Sequence, residues 1–150
     1  MIEIARSCLL LVNASGCYEV VADVERYHEF LPGCEQVAVL QRGRDADGAA
    51  LVEAQVTVRK AGVEYQFITL NKGVASQRIE VSLKSGPFER LEGVWHFKPL
   101  GDEGCRVNLQ LVFEANGMLA TLLNPMAQKA ADRMVDAFSK RINAVGEEGR

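Results

Sequence analysis

Apolar and polar residues alternate along the chain from residue 34 to residue 115, with the period of two that is typical of β-strands. The alternation is clearest at 105–114, where every second residue is cysteine, valine, leucine or phenylalanine. Because each run has one apolar face and one polar face, the pattern predicts six antiparallel strands here and a seventh strand earlier, at 2–12. Turn-forming residues predict breaks between the strands at 44–48, 60–63, 71–73, 84–87 and 101–104.

Two short helices are predicted between the first strand and the others. The side chains at 13–15 suit a helix N-terminus, and apolar residues then recur at helical spacing as far as Ala22. A second helix is predicted at 25–31, where Pro32-Gly33 ends it.

The period becomes helical again near residue 117. Apolar residues keep three-and-four spacing from 118 to 145, which predicts a helix about 42 Å long at 1.5 Å per residue. Asn124-Pro125 predicts a kink or break within it, with the asparagine as an internal cap and the proline at the first helical position. At ~4.8 Å per strand the predicted sheet is about 30 Å wide, so the helix is long enough to cross it.

The predicted sheet and helix enclose either a cavity or a filled core. A wide, twisted sheet curls, and one helix on its concave side cannot contact every inward side chain. The enclosed space is then either filled as core or left open, and the residues alone favour neither. Small alanines and flexible methionines opposite aromatic rings would suit an apolar ligand of adaptable shape. The predicted lining residues are Tyr65, Phe67, Trp95, Phe97, Phe113, Met126, Ala130, Met134 and Phe138.

Composition limits the classes of function. The 150 residues correspond to one domain, and 17 basic against 20 acidic residues give a net charge of −3. This balance argues weakly against indiscriminate nucleic-acid binding, and we expect no DNA partner. No apolar run approaches the ~20 residues of a membrane span. The opening residues do not resemble a signal peptide, so a cytoplasmic location is expected.

The sequence offers little for catalysis or metal binding. The four cysteines and two histidines show no zinc spacing, so reduced, mostly buried thiols are expected. His28 and Cys34 lie six residues apart across a Pro-Gly break, with no third group to orient them. His96 lies among the polar positions of its strand and is expected on the surface. We therefore expect no metal, no required cofactor and no enzymatic activity.

The order of elements and several separated motifs resemble a known family. The order of strand, two short helices, six strands and long helix is that of the START-like, helix-grip or Bet v 1-like fold, an α+β architecture that would span 1–150 as a single domain. Within it the chain resembles the polyketide cyclase/coenzyme Q-binding family, and is similar to its bacterial ribosome association toxin (RatA-type) branch. His28 stands where the family pattern usually has proline, and Gly33 where some members have tryptophan. The motifs that carry the resemblance are DVERYHEFLPGC (23–34), VRKAGVEYQF (58–67), SGPFERLEGVWHFKPL (85–100), CRVNLQLVFE (105–114) and MVDAFSKR (134–141).

This resemblance implies two activities, neither of which needs bond chemistry. One is binding of ubiquinone or a related polyprenyl lipid in the cavity, in support of respiration, with transient membrane contact. The other is binding of the large ribosomal subunit and blocking of subunit association. A polyketide aromatase or cyclase is a third alternative because the fold hosts such enzymes, although fold alone does not give function.

The resemblance also suggests where these activities would be located. It places the short helices at the open end of the sheet, where their apolar residues either gate an entrance or plug the core. The candidate gate residues are Tyr27, Phe30, Leu31, Pro32 and Gly33. Cations on the long helix would be ribosome contacts, but Asp132 and Asp136 interleave with them as on an ordinary solvated face. These cations are Lys129, Arg133, Lys140 and Arg141.

Overall fold

A computed structural model describes residues 1–60 and 62–148 of the chain, with side chains described as far as residue 146. Seven antiparallel strands form one sheet in the order β1-β7-β6-β5-β4-β3-β2, so the first strand pairs with the last. The strands are β1 Ile2–Leu10, β2 Cys34–Arg44, β3 Ala50–Lys60, β4 Val63–Val74, β5 Arg78–Ser85, β6 Phe88–Leu100 and β7 Gly104–Ala115. The helices are α1 Ala14–Ala22, a 3₁₀ helix Val24–Glu29, α2 Gly117–Leu123, a 3₁₀ turn Asn124–Met126 and α3 Ala127–Glu148. The curled sheet and the long C-terminal helix confirm the predicted fold class.

Helix α1 begins where the sequence predicts. The side chain of Asn13 accepts a hydrogen bond from the backbone N–H of Gly16 at 2.8 Å, which caps the first turn. Its buried face, which includes Cys17 and Tyr18, packs against the sheet in the main apolar cluster. The predicted second helix is instead a 3₁₀ helix that ends at Glu29, two residues early.

The predicted turn at 71–73 is wrong. β4 continues through these residues to Val74, and the chain turns at 75–77, where Ser76 has a φ of 63°. Gly73 is therefore a strand glycine. A Cβ atom there would lie 2.3 Å from the hydroxyl oxygen of Tyr18, so the close approach of α1 explains the glycine.

The C-terminal helical region breaks at the predicted Asn124-Pro125. The 3₁₀ turn separates α2 from α3, with the proline in its first residues, but it has no side-chain cap, so the predicted asparagine cap does not form. α3 spans about 33 Å at 1.5 Å per residue and lies across the sheet. Arg6 on β1 holds it there, donating to Asp132 at 2.6 Å and to the side chain of Gln128 at 2.9 Å.

Among the described residues, three separate groups of buried side chains form the core. One lies under α1 and includes Trp95 and Phe138, a second lies under α2 and includes Phe113, and a third joins the 3₁₀ helix to β2 and β3 through Val24. The space between the three is the site described next. Within the described ranges, none of the helices has the length and apolar composition to span a membrane.

Candidate functional site

An apolar cavity of about 360 Å³ lies between the concave face of the sheet and α3. Its floor follows β4, where Tyr65, Phe67, Thr69 and Asn71 all face inward. At ~3.4 Å per residue, this row is about 20 Å long. The two residues at the Tyr65 end are aromatic and the two at the other end are polar, so the cavity has chemically different ends.

Aromatic rings form the wall at the Tyr65 end. Phe88 on β6 makes edge contacts with Tyr65, Phe67 and Phe113, with ring centroids 5.9, 5.3 and 6.3 Å apart. Burial raises the pKa of the Tyr65 phenol above its ordinary value, so this phenol stays neutral. This end is therefore lined mainly by neutral aromatic rings, although Lys60 also borders the cavity.

The roof of the cavity is the inward face of α3. Ala127, Ala130 and Ala131 keep the helix narrow where it faces the sheet, and Met126 and Met134 flank them. Three methyl groups in place of larger side chains leave the space unfilled, and methionines adapt to what enters it. The roof thus leaves unfilled space and can adapt to the shape of a ligand.

The segment Tyr27–Gly33, which we call the gate segment, closes one side. The hydroxyl of Tyr27 donates to the backbone carbonyl of Val21, and its ring meets that of Phe138 edge-on at 5.2 Å. Leu31 and Pro32 border the cavity directly. Gly33 has a φ of 80°, and its carbonyl accepts a hydrogen bond from Arg59 of β3 at 2.9 Å. The segment is thus held at both ends.

Arg141 fastens the gate segment to α3. Its guanidinium donates to Glu29 at 2.7 Å and lies 5.2 Å from the ring centroid of Phe30. The hydrogen bond from Arg141 lowers the pKa of the Glu29 carboxyl below its usual value, with smaller contributions from the charges of Arg26 and His28. We call this contact of Arg141 with Glu29 and Phe30 the latch.

The comparisons with known proteins agree with this architecture. The family model described as polyketide cyclase/dehydrase and lipid transport matches residues 12–139. This chain belongs to that family. A relative from Pseudomonas aeruginosa named ribosome association toxin RatA is 41% identical over 140 residues, covering 93% of this chain and 94% of that protein.

A more distant relative and two structural neighbours carry different names. A Dictyostelium discoideum protein named coenzyme Q-binding protein COQ10, mitochondrial, is 28% identical and covers 83% of this chain and 60% of its own length. A START superfamily protein from Mycobacterium smegmatis has a TM-score of 0.75 at 21% identity, covering 99% of both chains. The ZhuI aromatase/cyclase of a Streptomyces species has a TM-score of 0.68 at 20% identity, covering 98% of this chain and 92% of its own. These two structural likenesses show the fold alone.

Eight of the nine predicted lining residues border the cavity in this family member, and Phe97 does not. The prediction for Phe97 is wrong because the ring lies beneath α1, edge-on to Tyr18 at 5.7 Å, where the helix fills the space. Of the candidate gate residues, Tyr27, Leu31 and Pro32 border the cavity, whereas Phe30 and Gly33 do not. Phe30 instead borders an outer groove of about 520 Å³ whose lining includes several charged residues.

The four helix cations considered for the ribosome have different surroundings. Arg133 borders the cavity, Lys140 pairs with Asp136 at 3.0 Å, and Arg141 forms the latch. Lys129 is exposed and forms no ion pair with any residue that the structure describes. The charges on α3 thus mostly serve local contacts.

Sequence reasoning misses Phe88 and Asn71 as lining residues. Phe88 follows Gly86-Pro87, and a register shift between Phe88 and Arg90 breaks the alternation from which its direction could be inferred. Asn71 is missed because the composition of 71–73 predicts a turn. Once Asn71 is placed in β4, the alternation from Tyr65 brings it inward.

The candidate nucleophiles and bases are separated from one another. His28 is exposed, and its Nδ1 donates to the carbonyl of Glu25 at 2.9 Å, while Cys34 borders the cavity. Burial raises the pKa of the Cys34 thiol, and burial followed by the charge of Cys105 raises the pKa of Cys17 to about 12. Thiols with raised pKa values are poor nucleophiles. The residues that the structure describes also hold no cluster suited to a metal ion.

Proposed function

We propose that this protein binds a hydrophobic ligand of the quinone or polyprenyl lipid class in the cavity, without chemical change to it. The observation that carries this proposal is the apolar cavity of about 360 Å³ between the sheet and α3. Pockets of this size and lining are typical of small-molecule sites. The names of the family and of the coenzyme Q-binding relative are consistent with it.

A non-enzymatic role fits the side chains better than a cyclase. Cyclisation needs an acid, a base or an activated nucleophile within reach of the substrate. Among the described residues, the cavity lining holds neither histidine nor any aspartate or glutamate, and its Tyr65, Tyr27 and Cys34 all have raised pKa values. The lining suits holding an apolar molecule rather than transforming it.

Filling the cavity tests the proposal. Ala130→Phe places a ring in the roof of the cavity. We expect it to abolish uptake of a short-chain ubiquinone, which is measured by the quenching of Trp95 fluorescence. Ala144→Phe makes the same change on the exposed face of α3 and should leave uptake unchanged. Native mass spectrometry of the protein purified from cells should show a bound lipid. A protein that is apo when isolated and takes up no quinone would refute the proposal.

Binding to the large ribosomal subunit is the second candidate, favoured by the RatA relatives at 35–41% identity. On the outward face of the sheet, Lys98 and Arg106 lie directly opposite each other on β6 and β7. Neither forms an ion pair with any residue in the described part of the chain, including nearby Asp102 and Glu103. Opposed like charges destabilise a sheet, and phosphate groups of ribosomal RNA would neutralise them.

Sedimentation through a sucrose gradient tests this second candidate. We expect the wild-type protein to travel with the large subunit at low salt and to dissociate as salt rises. Lys98→Glu with Arg106→Glu should abolish this association, whereas Lys129→Glu on α3 should weaken it little. If none of the wild-type protein travels with the large subunit, the second candidate is wrong.

A further inference from the structure

Asn71 places an amide group among the apolar side chains of the cavity. It borders the cavity together with Thr69, two positions earlier on β4. Its Oδ1 is buried and accepts no hydrogen bond, and it is the one buried side-chain nitrogen or oxygen in the described residues without a partner. Most buried polar groups in native proteins have a partner, so this oxygen calls for an explanation.

No described side chain donates a hydrogen bond to the Oδ1 of Asn71. Its neighbours in the sheet are Val52 on β3 and Val81 on β5, whose side chains cannot form hydrogen bonds. The next inward position is Gly73, which is covered by the hydroxyl and ring of Tyr18, and neither this hydroxyl nor that of Thr69 donates to the amide oxygen. Leaving a buried carbonyl unpaired costs about 1–3 kcal/mol. A partner that comes from outside the chain would remove this cost.

Asn71 lies at the inner end of the cavity, far from the end of the gate segment. Gly33, the last residue of the gate segment, accepts a hydrogen bond from Arg59 near the end of β3. The next residue, Lys60, pairs with Val63, so the gate segment ends beside the start of β4. From Tyr65, beside this point, to Asn71 is about 20 Å along the strand at ~3.4 Å per residue. A molecule that enters past Pro32 would therefore reach the amide with its leading end.

We propose that the ligand carries a hydroxyl group on its leading end, and that Asn71 selects for it by a hydrogen bond. A hydroxyl both donates and accepts, so it satisfies whichever end of the amide faces it. The remaining lining is mostly aliphatic and aromatic, which suits an apolar tail. The ligand class is thus a hydroxyl-bearing ring, a phenol or hydroquinone, with a hydrocarbon chain. This inference rests on the ligand binding proposed above.

Two probes that differ by one hydroxyl test the inference. An alkylphenol and the alkylbenzene with the same chain are titrated into the protein by isothermal calorimetry, and the ratio of their Kd values is compared between variants. Asn71→Leu keeps the shape of the side chain but removes its polar atoms. We expect it to lower the preference for the phenol about tenfold, while the alkylbenzene binds at least as tightly as before.

The control places the same substitution elsewhere. Asn108→Leu changes an asparagine on the opposite, outward face of the sheet, in β7, and should leave the ratio unchanged. Chemical denaturation adds a readout of folding, since removal of an unpaired amide should leave Asn71→Leu at least as stable as the wild type. An unchanged ratio in Asn71→Leu overturns the inference while leaving ligand binding in place. If neither probe binds the wild-type protein, the proposed function and this inference both fail.

Discussion

At the scale of single residues, Gly73 shows how closely α1 approaches the sheet. The glycine lies within β4, and its missing side chain makes room for the phenol of Tyr18, a buried residue of α1. Any larger residue would push α1 away from the sheet. Since α1 leads directly into the 3₁₀ helix and the gate segment, this one contact helps to set the position of the gate.

We expect Gly73→Ala to lower the free energy of unfolding by about 1–3 kcal/mol, because the added methyl group overlaps the Tyr18 hydroxyl. Urea denaturation measures the change. Gly43→Ala is the matched control in β2, where a Cβ atom meets nothing within 4 Å, and it should not destabilise the protein.

A double mutant separates this overlap from the loss of glycine itself. Tyr18→Phe removes the hydroxyl that lies nearest to the added methyl group, so it should recover part of the stability in the Gly73→Ala background. If the two substitutions were simply additive, the overlap would not be the cause.

At the scale of elements, the alternation of apolar residues is enough to predict seven strands and several of the strand residues that line the cavity. The inward row of β7 and the aromatic residues Tyr65, Phe67 and Trp95 can be assigned because a strand with one buried face alternates regularly. The break at Asn124-Pro125 can be predicted because proline cannot continue a helix.

The errors come from contacts between distant parts of the chain. The residues around Gly73 have the composition of a turn, but the glycine is present because Tyr18, more than fifty residues earlier, packs against it. Phe97 lies on the inward face as expected, yet whether an inward residue borders a cavity depends on where α1 lies above it. A local pattern shows on which face of a strand a side chain lies. It does not show where the helix that packs on that face is located.

The latch is a contact between elements that leads to a kinetic expectation. Arg141 on α3 holds the gate segment through Glu29 and Phe30. We expect Arg141→Met to keep the packing of the aliphatic part of the Arg141 side chain. It should raise the rate of ligand dissociation about two- to fivefold, because one partly exposed ion pair and one cation–π interaction are lost. Stopped-flow displacement of bound quinone measures this rate. Lys140→Met, whose cation pairs with Asp136 instead, should leave the rate unchanged.

The latch should also respond to acid. Because the pKa of Glu29 is lowered in the folded protein, the pairing is complete above the ordinary carboxyl range and is lost as the pH falls through the lowered value. The dissociation rate of the wild type should therefore rise toward that of Arg141→Met at low pH, while the variant changes less. Equal rates for the two proteins at neutral pH would contradict a role for the latch.

At the scale of the whole molecule, the two candidate functions occupy opposite faces of one sheet. The cavity lies on the concave face beneath α3, and the pair Lys98 and Arg106 lies on the outward face. Side chains alternate between the faces of a strand, so Phe97 lies inward and Lys98 outward in adjacent positions. A sheet can thus carry a ligand on one side and a polyanion on the other without the sites sharing a residue.

This arrangement leads us to expect that the two activities can be separated by mutation. Ala130→Phe should abolish quinone uptake and leave sedimentation with the large subunit unchanged. Lys98→Glu with Arg106→Glu should do the reverse, abolishing sedimentation with the large subunit while leaving quinone uptake unchanged. If Ala130→Phe, folded as judged by circular dichroism, also failed to bind the ribosome, occupancy of the cavity would have to control the outward face. The sheet between the two sites would then transmit the state of one to the other, and the variants could no longer be treated as independent.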